Sequence, residues 1–324
     1  MQSKTLAARR CILHIGICKT GTTSIQYSLA ANRMELAEAG LIVPRTYGPT
    51  HNHRHLTLLA VDKNTAAGAR EWEVLRQRDA GLRACGSLSE ARQWVEQSLN
   101  DELATVSGAS WVVFSSEQLS QRLMTRDAVI HLRHALERLG FGTVRVVVYL
   151  REQVGLSKSW ESMEVIAGRR TRDTTGDHAA FDHQKLLERW ENVWGGEALI
   201  VRTYAKQFLE QGDVVRDFAT HALPISGELL MEGTQRRRNE RLGSRSIWLL
   251  RQANDWLPRA LPKPAIEPCR RTLLRISRQN WISGKPMKET SPAAFRALAD
   301  QFMISNRWVD KKYGTHLEES FGTT

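Results

Sequence analysis

Short apolar runs alternate with segments of helical spacing along this chain. The first run, CILHIGI at 11–17, is continuous and apolar, and it predicts a buried strand. A turn rich in glycine and threonine follows, and apolar residues at helical spacing from Ser24 to Ala39 predict a helix that stops at Gly40. The run 41–44 predicts a second strand. Strand, glycine turn, helix and strand together form the opening βαβ unit of a parallel sheet.

The rest of the chain continues this alternation. Apolar runs predict strands at 111–114, 144–150 and 198–204, and VRVVVYL at 144–150 gives the strongest signal because it is continuously apolar and rich in β-branched residues. The segment from 56 to about 104 is predicted to be mostly helical, helices are predicted at 128–139, 181–194, 212–222, 244–256 and 291–313, and a further helix contains Ser159. We therefore predict a single α/β domain over 1–324, with a central parallel sheet flanked by helices. The stretch 257–287 mixes prolines with basic residues and predicts a surface excursion or lid at about 257–290.

The turn after the first predicted strand has the composition of an anion-binding loop. It reads Gly16-Ile17-Cys18-Lys19-Thr20-Gly21-Thr22-Thr23-Ser24. A glycine turn between a buried strand and a helix aims backbone N–H groups at an anion, and the helix N-terminus adds partial positive charge. The phosphate loop of kinases and NTPases carries its lysine directly after the second glycine, whereas Thr22 stands there in this chain and the lysine lies at position 19. The alternative is a tight strand-to-helix turn capped by a threonine.

The segment HIGICKTGTTSIQ resembles the 5′-phosphosulfate-binding loop of the sulfotransferase family, especially its bacterial-type members. The resemblance implies a P-loop NTPase-like sulfotransferase fold. It also implies that the donor is 3′-phosphoadenosine 5′-phosphosulfate (PAPS) and that adenosine 3′,5′-bisphosphate (PAP) is the product. The residues that would cradle the 5′-phosphosulfate are Lys19, Thr20, Gly21, Thr22, Thr23 and Ser24. In this scheme Lys19 neutralises charge on the bridging oxygen, and no metal is required.

A second anion site is implied by the same resemblance. In the family, an arginine at a strand end and a serine eight residues later bind the 3′-phosphate of the donor, and Arg151 and Ser159 match that spacing. A guanidinium can grip a phosphate through two hydrogen bonds, which suits this role. The alternative for Arg151 is a surface ion pair, for example with Glu152.

A basic segment, 235–239, falls late in the chain, where the family places cationic residues over the 3′-phosphate and adenine. Arg238 is the first choice for that contact and Arg237 the second, the alternative being a solvated basic turn. The resemblance extends to FDHQKLLERWENVWGGEALIVRTY and SNRWVDKKYG, and it does not cover 64–99 or 257–287.

Two groups are candidates for the base that activates an acceptor hydroxyl. Glu117 follows the third strand, at the carboxyl edge where open α/β folds bind ligands, although it could instead cap the next helix together with Ser115 or Ser116. The loop after the second strand carries three alternating histidines, of which His53 is the first choice for the base; the others are His51 and His55. Metal binding by this loop is disfavoured because no Cys or carboxylate nearby completes a site.

The charge of the chain restricts its partners. Formal net charge is +11 and the pI is about 9.8, which favours acidic partners. The basic runs are short and scattered without a finger or RNA-binding motif, so nucleic acid is disfavoured. Four cysteines without a CxxC pair, no signal segment and no transmembrane run predict a cytoplasmic enzyme, and peripheral contact with a membrane stays open.

Together these observations predict a sulfotransferase that acts on a hydroxyl or amine of a glycan or small metabolite. Two alternatives stay open at the level of sequence. One is a nucleotide kinase or other phosphotransferase with a phosphate loop, which the displaced lysine disfavours. The other is a nucleotide- or polyanion-binding module without chemistry.

Overall fold

A five-stranded sheet, with every strand parallel to its neighbours, forms the centre of the protein. In the computed structural model, the residues described are 8–45, 51–62, 64–104, 110–168, 181–225, 230, 244–260, 263–277 and 292–321. The strands are β1 (Arg9–His14), β2 (Leu41–Ile42), β3 (Trp111–Ser115), β4 (Phe141–Leu150) and β5 (Leu199–Thr203), in the order β2-β3-β1-β4-β5. The predicted fold class, a parallel α/β sheet flanked by helices, is confirmed.

Continuous apolar runs occur within β1, β3 and β4 because both faces of the sheet are covered there. In β1, Ile12 enters the apolar cluster on one face, whereas Cys11 and Leu13 enter the cluster on the other, and all three are fully buried. The same alternation holds in β4, where Val147 and Val148 contact opposite clusters. Period-two alternation is therefore invisible in the sequence, as expected for a doubly covered parallel sheet.

The helices occupy the connections between strands and the C-terminal part of the chain. They are α1 (Thr22–Ala31), α2 (Arg33–Glu38), α3 (Ala66–Arg78), α4 (Ala80–Ala84), α5 (Leu88–Leu103), α6 (Glu117–Arg122), α7 (Arg126–Arg138), α8 (Gln153–Ile166), α9 (His183–Trp194), α10 (Val214–Ala222), α11 (Ser244–Ala260), α12 (Lys263–Ser277) and α13 (Pro292–Tyr313). The side chains of α1, α2 and α10 line one apolar cluster, and those of α5, α7 and α9 line the other. No helix within the described ranges is long and apolar enough to span a bilayer.

One predicted helix is divided in the structure. The sequence pattern predicts a single helix from Ser24 to Ala39, but α1 ends before Asn32 and α2 begins after it. The Asn32 side chain donates to the Ser28 carbonyl at 2.9 Å, the carbonyl that also accepts from the Asn32 backbone N–H at 3.2 Å. Asparagine side chains compete with the helical ladder in this way, and the apolar spacing does not reveal it.

Two predicted surface segments have different outcomes. In the proline- and arginine-rich stretch 257–287, residues 263–277 form α12, so most of this stretch is helical. The lid role of 257–290 stays a prediction. The basic segment 235–239 falls outside the described residues.

A buried carboxylate joins α10 to β4 and β5. Asp217 is fully buried, and it accepts hydrogen bonds from the Tyr149 hydroxyl at 2.8 Å and from Arg202 Nε at 2.9 Å. Burial alone would raise the pKa of Asp217, but the bonds from Arg202 and Tyr149 hold it below its usual value. The cluster fixes α10, which in turn packs on α1, at the sheet edge where the predicted anion loop lies.

We expect Asp217→Ala to lower the free energy of unfolding by about 3 kcal/mol at pH 7, because it leaves Arg202 and Tyr149 without their shared acceptor. Asp300→Ala, at an exposed position of α13, should stay within about 0.5 kcal/mol of wild type. The pKa of Asp217 is lower in the folded protein than its value of about 3.8 in the unfolded chain. The contribution of Asp217 to the free energy of unfolding is therefore complete above pH 3.8, and it is lost as the pH falls below that value. Urea unfolding at several pH values measures this, and equal losses for the two variants would contradict it.

Candidate functional site

The ends of three adjacent strands place the predicted site residues at one edge of the sheet. Strand β1 lies between β3 and β4, and backbone bonds continue beyond the strand ends, from Ser116 N–H to the His14 carbonyl and from Tyr149 N–H to the Gly16 carbonyl. The segments that follow β1, β3 and β4 therefore emerge side by side. These segments carry Lys19, Glu117 and Arg151, respectively.

The loop after β1 approaches Glu117 too closely for any side chain. Gly16 has a φ of 94°, and a Cβ placed on it would lie 2.8 Å from both Cα and Cβ of Glu117. Glycine is therefore required at position 16 by its backbone conformation and by its neighbour. This contact sets how near the anion loop comes to the predicted base.

Two threonines of the loop are occupied within the loop itself. The hydroxyls of Thr20 and Thr22 both donate to the Ile17 carbonyl, at 2.6 and 3.0 Å. These hydroxyls therefore hold the loop in shape, whereas those of Thr23 and Ser24 are on exposed residues in the first turn of α1. An anion at this place would meet backbone N–H groups together with Thr23 and Ser24.

Helix α1 begins without a side-chain cap. Its N-cap is Gly21, which adopts the left-handed conformation and has no side chain to cap the first-turn amides, and its first turn contains no acidic residue. By contrast, Thr65, Ser87 and Thr125 cap α3, α5 and α7 through their side chains. Uncapped first-turn amides and the helix dipole favour an anionic ligand.

Lys19 and Arg151 bring two cations to this helix end. Lys19 adopts a φ of 65° and is half-buried. Burial lowers the pKa of Lys19 and so does Arg151, whereas Cys18 and Glu117 oppose the shift. Arg151 is buried, with Nη1 3.5 Å from the Lys19 carbonyl. The loop therefore lies between a carboxylate on one side and a guanidinium on the other.

Two amide side chains hold Glu117 in a defined orientation. Gln26 Nε2 and Asn52 Nδ2 each donate to Glu117 Oε2 at 3.0 Å. The described part of the chain supplies no hydrogen bond to Oε1. The Ser116 hydroxyl caps α6, because it accepts a hydrogen bond from the Gln118 N–H at 3.3 Å. The cap of this helix is therefore Ser116 and not the Glu117 side chain.

Gln26 and Asn52 are site residues that the sequence reasoning missed. Both are nearly buried, Gln26 on the inner side of α1 and Asn52 in the histidine loop. Two weak signals were present. Gln26 ends the motif-like segment HIGICKTGTTSIQ, and Asn52 stands between two of the histidines considered as bases.

His53 lies beside the end of β3, and backbone groups engage its ring. It is buried, its Nε2–H donates to the Pro44 carbonyl at 2.9 Å, and its Nδ1 accepts from the Ser115 N–H at 3.1 Å. Burial lowers the pKa of His53 to about 4. Both ring nitrogens are thus engaged by backbone groups, and this geometry disfavours His53 as a base.

The two other histidines of the loop and His14 have different surroundings. Burial lowers the pKa of His55 to about 4, and the ring of His51 lies 4.8 Å from that of Tyr27, edge to face. His14 is fully buried within β1, as its strand position suggests, and its Nδ1 is 2.8 Å from the Ser115 hydroxyl. In the ranges that the structure describes, no group of three or more His, Cys, Asp or Glu side chains is arranged to hold a metal ion.

Arg151 and Ser159 are related through the first turns of α8. A Cβ placed on Gly155 would lie 2.9 Å from Nε and Nη2 of Arg151, so the guanidinium rests against the face of α8 where Gly155 lies. Ser159 lies one turn further along that face, because it is four residues later. Their shared role at a 3′-phosphate stays a prediction. Arg237 and Arg238 lie outside the described residues.

No protein-family model and no curated protein sequence matches this chain. Among solved structures, the chain is similar to the crystal structure of a sulfotransferase from Alicyclobacillus acidocaldarius. The two share 12% sequence identity, the match covers 96% of this chain and 98% of that chain, and the TM-score is 0.48. A likeness this distant does not extend the activity of that protein to this chain.

The contact between Gly16 and Glu117 predicts a difference between two glycine substitutions. Gly16→Ala and Gly40→Ala both force alanine into a left-handed conformation, but a Cβ at Gly40 meets nothing within 4 Å. We expect Gly16→Ala to lower the free energy of unfolding by about 1–3 kcal/mol more than Gly40→Ala, because it also overpacks the contact with Glu117. Denaturant unfolding measures both variants, and equal destabilisation would show that Glu117 does not constrain position 16.

Proposed function

We propose that the protein is a sulfotransferase that moves the sulfuryl group of PAPS to a hydroxyl or amine of an acceptor, a glycan or small metabolite. The observation that carries the proposal is the grouping of Lys19, Arg151 and Glu117 around the uncapped N-terminus of α1. Two cations and an uncapped helix start suit the negative charges of a phosphosulfate group, and an oriented carboxylate suits removal of a proton from the acceptor.

The donor would be held at two places. Lys19, the first-turn amides of α1, Thr23 and Ser24 would hold the 5′-phosphosulfate, with Thr20 and Thr22 fixing the loop through the Ile17 carbonyl. Arg151 and Ser159 would hold the 3′-phosphate, and Arg238, with Arg237 as second choice, would add a contact there. When bound, PAPS would supply an activated sulfuryl group, and the absence of a side chain at Gly155 supports the fit because it leaves the Arg151 guanidinium room beside α8.

Glu117 acts as the base in this proposal. Gln26 and Asn52 engage Oε2, so the carboxylate is held with Oε1 available to the acceptor. Glu117 takes the proton of the acceptor as the acceptor oxygen or nitrogen bonds to sulfur. Lys19 stabilises the negative charge on the phosphate oxygen whose bond to sulfur breaks. Gln26 and Asn52 are positioning residues, and His53 is assigned a structural role because its ring nitrogens are bonded to backbone groups.

Binding of the product tests the donor assignment. We expect isothermal titration calorimetry to show that PAP binds at least about tenfold more tightly than ADP, because charge-assisted bonds to the 3′-phosphate contribute about 1.5–3 kcal/mol. Arg151→Gln should remove most of that preference. Arg145→Gln changes an exposed arginine on β4, the strand that Arg151 follows, and should leave that preference intact. Equal affinity of the wild-type protein for PAP and ADP would overturn the assignment of a 3′-phosphate site.

Turnover tests the chemistry separately from binding. With an acceptor found by screening glycans and metabolites against labelled PAPS, we expect Lys19→Ala to lower kcat about 100- to 1000-fold. Glu117→Gln should lower kcat at least about 100-fold while PAP affinity stays within about twofold. Glu35→Gln, at an exposed position of α2, is the matched control. Transfer at the wild-type rate in either site variant would refute the role given to that residue, and PAP binding without transfer to any acceptor would favour a non-catalytic module.

A further inference from the structure

Helices α11 and α12 form an antiparallel pair that packs on α8. The Ser246 hydroxyl donates to the Ser277 carbonyl at 2.6 Å, which places the start of α11 beside the end of α12. Asn254 Nδ2 donates to the Val165 carbonyl at 2.8 Å, and Arg251 Nη2 is 2.5 Å from Glu161 Oε1. These contacts use one side of the pair and leave its other side facing outward.

The outward side of the pair exposes large apolar residues. Trp256 is 63% exposed and Trp248 46% exposed, and Leu249 and Ile276 are exposed as well. On α11, Leu249 and Trp256 lie on one face because they are seven residues apart, and Trp248 adjoins them. Trp190, in contrast, is fully buried in the core. Clustered exposed tryptophans with aliphatic neighbours are typical of a surface that binds another phase or partner.

The same side of the pair is cationic. Arg245 and Arg275 are exposed, and no exposed Asp or Glu occurs among the side chains that the structure describes on α11 and α12. The sequence concentrates charge here to an unusual degree. Positions 236–288 contain fourteen Lys and Arg residues and three Asp and Glu residues. The net charge of this segment, +11, equals the formal net charge of the whole chain. The remainder of the chain is therefore formally neutral, and the charge excess is concentrated in the sequence segment that contains α11 and α12.

We infer that the outward side of α11 and α12 docks on an anionic phospholipid surface. Arginines attract the lipid headgroups, while tryptophan, leucine and isoleucine enter the boundary between headgroups and acyl chains, as in interfacial amphipathic helices. A soluble polyanion would use the arginines but would leave the apolar residues in water. A second copy of this chain would bring two equal positive charge excesses together. The inference does not depend on the proposed activity.

Co-sedimentation of the full-length protein with vesicles tests this surface. We expect binding to vesicles that mix phosphatidylglycerol with phosphatidylcholine, weakening with added salt, and little binding to phosphatidylcholine alone. Arg245→Gln and Arg275→Gln should each lower the partition coefficient about fivefold. Trp256→Ser should lower the partition coefficient about tenfold, because the variant lacks the indole ring whose transfer from water favours binding.

Matched controls lie elsewhere on the surface. Arg126→Gln removes an equal charge at an exposed position of α7, and Ile304→Ser removes an apolar side chain that is 77% exposed on α13. Both should bind vesicles as wild type does, and circular dichroism melts should be unchanged in every variant. Three results would overturn the inference: equal or absent binding to both vesicle types, no effect of Trp256→Ser while a sulfated polysaccharide competes fully, or dimerisation in sedimentation velocity that Trp256→Ser abolishes.

Discussion

The approach of Gly16 to Glu117 determines the arrangement of the whole site edge. At this point the chain leaving β1 and the chain leaving β3 touch through backbone and Cβ atoms, with no side chain between them. Because of that contact, the loop with Lys19 and the residue Glu117 lie together at one edge of the sheet. The uncapped start of α1 follows immediately, and Arg151 closes the other side of the loop from the end of β4. The relative positions of these charged groups therefore depend on the absence of a side chain at Gly16.

The fold was predictable because a strand that is buried on both faces has a continuous run of apolar residues in the sequence. Continuous apolar runs rich in β-branched residues, such as that of β4, favour strands between two covered faces, and segments of helical spacing lie between them. The division of the first helix was not predictable in this way. It arises from one hydrogen bond of the Asn32 side chain to the Ser28 carbonyl, whereas the apolar positions on either side keep the same helical spacing.

The site was predictable only where its residues follow strand ends. Lys19, Glu117 and Arg151 could be placed at one edge because parallel strands end together. Gln26 and Asn52 could not, since neutral amides far apart in the chain acquire meaning only when both meet the same carboxylate oxygen. The surroundings of His53 were not predictable for a related reason. An unperturbed histidine is suited to proton transfer, but the Pro44 carbonyl and the Ser115 N–H that engage His53 are tertiary neighbours.

Helix α8 carries two surfaces at opposite ends. Arg151 precedes its first turn, and α11 contacts its last turns through Glu161 and Val165. Fourteen helical residues span about 21 Å, so α8 acts as a rigid spacer between the sheet edge and the helix pair. Molecules bound at the two ends would not compete for space. If α11 and α12 bind a membrane, the sheet edge would lie at a nearly constant distance from the membrane surface. This arrangement would favour acceptors whose reactive group projects from the membrane by that distance.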